Sequence, residues 1–154
     1  MQLSYAAVCF DLFGTLVQED GRPIDGARSA LLSVPRERCA IVTSCGLQYA
    51  RILLRTAQLP EPSIVVAAED VEHGKPAPDC YALAARRLGI DPEHILVLED
   101  SRHGMAAARA AGMDVIGVLA GRPPSYAQEA LYAVERLRDI EWAAGEGGSI
   151  VVKF

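Results

Sequence analysis

Five short apolar runs, each followed by a stretch of helical periodicity, constrain this chain more than any other feature. SYAAVCF (4–10), CAIVT (39–43), PSIVVAA (62–68), HILVL (94–98) and DVIGVLA (114–120) are of strand length. Between them lie helical patterns. PIDGARSALLSV (23–34) puts Ala27, Ala30, Leu31 and Val34 on one side, and LQYARILLRTAQL (47–59) does the same with Leu47, Ala50, Leu54 and Ala57. PDCYALAARRLG (78–89) starts on Pro78 and Asp79 and stops at Gly89, and SRHGMAAARAAGM (101–113) has Gly112 near its end. This alternation predicts right-handed βαβ crossovers and an α/β fold on a mainly parallel, five-stranded sheet. A final helix is expected over PSYAQEALYAVERLRDI (124–140), with a turn and an edge strand in GEGGSIVVKF (145–154). At 154 residues without internal repeats, one domain over 1–154 is expected.

Composition narrows the partners. A net charge of −5 without a basic cluster argues against nucleic acid and anionic membranes. The apolar runs are too short to span a bilayer. The N-terminus lacks the flank and cleavage site of a signal peptide, so a cytoplasmic location is expected. Cys9, Cys39, Cys45 and Cys80 form no CxxC pair and have no histidine at ligand spacing, which predicts reduced thiols, with Cys45 close to a strand end. Thirteen arginines stand against two lysines, Lys75 and Lys153. Lysine is a compact ammonium on a flexible stem, and its retention at Lys75, in HGKPAP, invites a functional reading.

Ligands of parallel sheets bind beyond the carboxyl ends of the strands. Asp11 ends the first run, Thr43 and Ser44 the second, Glu99 and Asp100 the fourth, and Lys75 follows the third. Singly, each reads as a cap, a turn residue or a surface charge. Together they carry chemistry. Three carboxylates at adjacent strand ends repel one another unless a cation lies between them, and hard oxygen donors suit Mg²⁺. The ammonium and hydroxyls would bind phosphoryl oxygens, helped by helix N-termini. A carboxylate in line with the phosphorus can attack it and form an aspartyl phosphate, while metal and ammonium neutralise the developing charge.

The order of these residues resembles the haloacid dehalogenase-like superfamily. DLFGTL (11–16), IVTS (41–44), GKPAPDCY (74–81) and VLEDSRHGMAAARAAGM (97–113) look like its four motifs, and the similarity runs from about Val8 to about Leu119. AIVTS, VEHGKPAPDCY and LEDSRHG are most similar to the sugar phosphatases and their mutase relatives. The resemblance implies a Rossmann-like, three-layer α/β/α sandwich and a Mg²⁺-dependent hydrolase of phosphate esters. It makes Asp11 the nucleophile, Lys75 the catalytic and phosphate-neutralising lysine, and Thr43 and Ser44 phosphate-binding residues. Asp11, Glu99, Asp100 and the backbone carbonyl of Phe13 are the implied metal ligands. The implied partner is a phosphorylated small molecule or a phosphate exposed on a macromolecule.

Two departures accompany the resemblance. Phosphatases of the superfamily usually carry a second Asp, as acid and base, where this chain has Phe13. General acid–base catalysis contributes about 10²–10⁴-fold, which sets the size of the expected handicap. His73 and His103 are alternative proton carriers, although the plainer reading of each is a solvated residue. Relatives also insert a cap after the first motif, whereas only 27 residues separate Thr15 from Thr43 here. A capless site stands open, or a second subunit closes it. Two further function classes therefore stay beside the phosphohydrolase. One is a non-catalytic phosphate- or metal-binding module. The other is a C–halogen hydrolase, against which the Glu99–Asp100 pair argues.

Overall fold

The computed structural model describes residues 1–154. Its strands are β1 (Gln2–Tyr5), β2 (Ala7–Phe10), β3 (Cys39–Val42), β4 (Ile64–Val66), β5 (Ile95–Glu99), β6 (Asp114–Val118), β7 (Tyr132–Val134), β8 (Glu141–Ala144) and β9 (Ile150–Lys153). Its helices are α1 (Ala27–Ser33), α2 (Leu47–Thr56), α3 (Asp79–Leu88) and α4 (Arg102–Ala110). The main sheet runs β4-β3-β2-β5-β6-β7 and is parallel throughout. A second, antiparallel sheet runs β1-β9-β8.

The pleat sends alternate residues of each central strand to opposite faces. Val8 and Phe10 of β2 join Leu96 and Leu98 of β5 in one core, with α1, α2 and the inner side chains of β9. Ala7 and Cys9 join Ile95 and Val97 in a second core, with α3 and α4. Both faces are therefore covered, which is why these strands read as continuous apolar runs. The result is the expected three-layer, Rossmann-like α/β arrangement. No helix is long and apolar enough to cross a membrane.

Four expectations need correction. The tail strand is not an edge strand, because β9 lies between β1 and β8 and pairs with both. The main sheet has six strands, not five. The sixth lies inside the stretch expected as the final helix. Residues 124–140 hold a short 3₁₀ turn (Pro124–Ala127), then β7, then a second turn (Leu137–Asp139). Their apolar residues fit helical spacing, but β7 pairs Tyr132–Val134 with Ile116–Val118 and covers the polar edge that β6 would expose. Tertiary pairing overrides local periodicity here. The SYAAVCF run is also not one strand. It breaks at Ala6, whose N–H donates to His94 O, and β1 leaves the main sheet to pair with β9.

Strand order reverses at β2, with β3 on one side and β5 on the other. The crevice of a parallel sheet opens at such a switch. Between β2 and β3, residues 11–38 hold a compact flap, α1 and a 3₁₀ turn. The flap is closed by bridges from Val17 to Phe13 and to Pro23.

Candidate active site

The four buried polar or charged residues of the chain are Asp11, Thr15, Thr43 and Glu99. All four converge at the β2–β3–β5 crevice, although burying polar groups is costly unless they are paired. Asp11 follows β2, and its N–H donates to Leu98 O of β5 at 3.0 Å. Lys75 reaches in from the loop after β4, its side chain 7% exposed. The ammonium donates to Asp11 Oδ1 (2.7 Å), Glu99 Oε1 (2.6 Å) and Val42 O (3.1 Å), which uses all three of its hydrogens.

Glu99 is held from every side. Lys75 Nζ and Tyr81 Oη, the latter at 2.8 Å, donate to Oε1. The N–H groups of Asp100 and Ser101 and the Ser101 hydroxyl donate to Oε2 at 3.1, 3.2 and 3.2 Å. Ser101 also caps α4 by accepting from Gly104 N at 3.0 Å. A Cβ on Gly104 would stand 1.8 Å from Glu99 Oε1, so the carboxylate occupies the space that the glycine leaves.

Asp100 lies at the rim of the same cluster. A Cβ on Gly14, which has φ +81°, would stand 2.0 Å from Asp100 Oδ2. The Thr15 hydroxyl sits between Asp11 Oδ2 (3.3 Å) and Asp100 Oδ1 (3.5 Å). Arg122, just after β6, donates to Asp100 O (2.5 Å) and Asp100 Oδ2 (3.1 Å). Asp11, Glu99 and Asp100 each offer an oxygen within 4.8 Å of the others, so the cluster can hold a metal ion.

Electrostatics follow from this crowding. Burial, and then the neighbouring Glu99, push the Asp11 carboxyl well above the usual carboxylate range, with Lys75 pulling it back. Burial works to lower the Lys75 ammonium, but Asp11 and Glu99 outweigh it and hold it above its ordinary value. For Arg122, burial is likewise outweighed by Asp100.

Thr43 is buried at the end of β3. Its hydroxyl accepts from Cys45 N at 3.2 Å and lies 3.2 Å from Cys45 Sγ. Ser44 is exposed beside it, ahead of α2. The four cysteines are free thiols, and Cys45 is half-buried next to the site. His73 pairs with Asp79 on the surface, and His103 is exposed on α4. Neither hydrogen-bonds to any residue of the cluster.

Above the buried floor lies an open cavity of about 850 Å³, lined among others by Phe13, Tyr49, Asp100 and Arg122. The Phe13 and Tyr49 rings lie 6.0 Å apart. The structure thus brings together Asp11, Thr43, Lys75, Glu99 and Asp100, with Phe13 above them. It adds Thr15, Tyr81 and Arg122, which sequence reasoning missed. Tyr81 and Thr15 lie within the motif stretches GKPAPDCY and DLFGTL, but neither side chain was singled out. Arg122 follows a strand end, the signal that located the others, but without a motif around it.

The family model described as "Haloacid dehalogenase-like hydrolase" matches residues 8–118. Hexitol phosphatase A of Escherichia coli (strain K12) is 36% identical over 114 residues, covering 74% of this chain and 53% of that protein. Phosphorylated carbohydrates phosphatase of Thermotoga maritima is 35% identical over 108 residues, covering 68% of this chain and 48% of that protein. The chain spans about half the length of these curated relatives. Among solved structures, CbbY from Rhodobacter sphaeroides in complex with xylulose-(1,5)bisphosphate shares the fold with a TM-score of 0.76. That match has 17% identity and covers 88% of this chain and 96% of that one.

Proposed function

The chain belongs to the haloacid dehalogenase-like hydrolase family, and on that premise we propose that it is a Mg²⁺-dependent phosphohydrolase working through an aspartyl phosphate on Asp11. The observation that carries this reading is the buried Asp11–Lys75–Glu99 constellation at the switch point of the sheet. The relatives named for phosphatase activity support it, and they favour a phosphorylated small molecule as substrate. The reading takes residues 1–154 as one capless unit.

The donor set fits a hard dication. Asp11 and Asp100 present carboxylate oxygens, and the Phe13 carbonyl accepts no hydrogen bond within the protein, so a lone pair is free. Glu99 completes the ligand set. Its two oxygens already accept five hydrogen bonds, so direct ligation requires one donor to turn away. Held there, a dication would supply charge neutralisation and would screen the nucleophile from the phosphate. An ionised Asp11 then attacks the phosphorus, and the bond to the leaving oxygen breaks. Lys75 offsets the charge on the phosphoryl oxygens. Thr43 and Ser44 donate hydroxyl hydrogens to them.

Phe13 decides which substrates react fast. No titratable side chain free of other partners stands beside Asp11, and all the Lys75 hydrogens are committed. Acyl and aryl phosphates, whose leaving groups depart unprotonated, are therefore preferred to alkyl phosphates. Water is poorly activated at the second step, so the aspartyl phosphate is long-lived.

The test is hydrolysis of p-nitrophenyl phosphate with Mg²⁺, with Asp11→Asn as the blank. Turnover at least about 10³-fold above the blank is expected. If parent and variant hydrolyse equally, the reading fails. The open mouth and Phe13 also keep a second reading, a phosphate- or metal-binding module, which binding without turnover would favour.

A further inference from the structure

Arg122 is the one cation of the cluster to which the proposed reaction assigns no task. Its placement is specific. Ala120 and Gly121 both take the left-handed conformation, with φ +49° and +86°. Gly121 N donates to Glu135 Oε1 at 2.6 Å, and Arg122 N donates to Leu119 O at 3.1 Å. This turn delivers the guanidinium onto Asp100, where Tyr126 backs it at 4.5 Å from the ring centre. One contact of the fork goes to the backbone carbonyl of Asp100 and the other to its carboxylate. The side chain remains 32% exposed and faces the open cavity.

We infer that Arg122 is a built-in counter-cation of the acidic cluster, which neutralises Asp100 in the metal-free protein and lowers the cluster's affinity for a divalent ion. The inference rests on the cluster binding such an ion, as proposed above. Charge and orientation pull in opposite directions here. Removing the arginine deletes a charge that repels the ion, but it also deletes two contacts that orient Asp100. Orientation has other supports. The Asp100 carboxylate is wedged against Gly14 and lies beside the Thr15 hydroxyl, while its N–H is fixed on Glu99. No other cation pairs with Asp100: Arg102 stacks on the same Tyr126 ring at 4.8 Å without an ion pair to the carboxylate, and Lys75 faces Asp11 and Glu99. The electrostatic effect therefore wins. Arg122 is a positioning and tuning residue rather than a catalytic one. It keeps the site collected between ions and keeps the ion exchangeable.

The experiment is titration of the full chain with Mn²⁺, read by the loss of the free-ion electron paramagnetic resonance signal. Parent, Arg122→Gln and Arg122→Lys are compared at low and high salt. For a unit charge about 6 Å from a dication in a near-aqueous dielectric, Coulomb's law gives about a tenfold change in Kd. Arg122→Gln is expected to bind Mn²⁺ about tenfold more tightly at low salt, and less so at high salt, since exposed charges are screened. Arg122→Lys keeps the charge and is expected to bind as the parent does. Arg122→Gln binding equally or more weakly overturns the inference, and so does Arg122→Lys binding as tightly as Arg122→Gln. If no protein, parent included, takes up Mn²⁺, the metal-site reading itself falls with it.

Discussion

The floor of the site and its mouth are built on opposite principles. In the floor, Asp11, Thr15, Thr43 and Glu99 are buried, and Lys75 and Tyr81 complete a hydrogen-bonded network with no buried side-chain donor or acceptor left unpaired. In the mouth, Phe13, Tyr49 and the flap border a cavity open to solvent, and Tyr49 is half exposed. The floor is closely paired, whereas the mouth stands open. Under the proposed reaction, the floor supplies the nucleophile and its counter-charge, and the mouth supplies Phe13 where a proton carrier would stand.

Substitutions that break the floor should cost most. Lys75→Met strips two carboxylates of their shared partner, and breaking a buried ion pair costs about 3–5 kcal/mol. Urea unfolding without divalent ions should show that loss. Gly104→Ala forces a methyl into the Glu99 carboxylate and should cost about 1–3 kcal/mol, read in the same way. In the mouth, Tyr49→Ala loses a partly exposed ring contact and should cost only about 0.5–1.5 kcal/mol. If Tyr49→Ala proves as costly as Lys75→Met, the contrast between the two regions is wrong.

A smaller effect sharpens the same contrast. The folded protein holds the Asp11 carboxyl above its unfolded value. The stabilisation this brings is full below the ordinary carboxylate pKa and is lost as pH rises through the raised value. Without divalent ions, the melting temperature of the parent should therefore fall as pH rises through that window. Asp11→Asn should flatten the slope. Mg²⁺ should flatten it too, because the ion favours the ionised carboxylate. An unchanged slope in Asp11→Asn would mean that Asp11 is not the strained group.

How much of this was legible in the sequence follows the same division. Asp11, Thr43, Lys75, Glu99 and Asp100 stand at or near strand ends, and the topology of a parallel sheet collects strand ends. Their convergence was therefore readable before any coordinates. Tyr81 was not, because a buried tyrosine in a helix looks like core until its hydroxyl is seen to donate to Glu99. Arg122 was not, because its reach depends on a left-handed turn at Ala120 that no residue pattern announces. The strand Tyr132–Val134 was hidden by helical spacing of its neighbours and emerges only from the edge it covers. The mouth depends on long-range closure of this kind, and so it was the part least accessible to sequence reasoning.

The central claim is that Asp11 takes a phosphoryl group and holds it. The most direct measurement is intact mass of the protein after incubation with acetyl phosphate and Mg²⁺, with Asp11→Asn alongside. The account predicts a gain of one phosphoryl group in the parent, absent from the variant, mapped to Asp11 and removed by hydroxylamine. An equal gain in both proteins, or none in the parent at any time point alongside p-nitrophenyl phosphate turnover no higher than the Asp11→Asn blank, would contradict it.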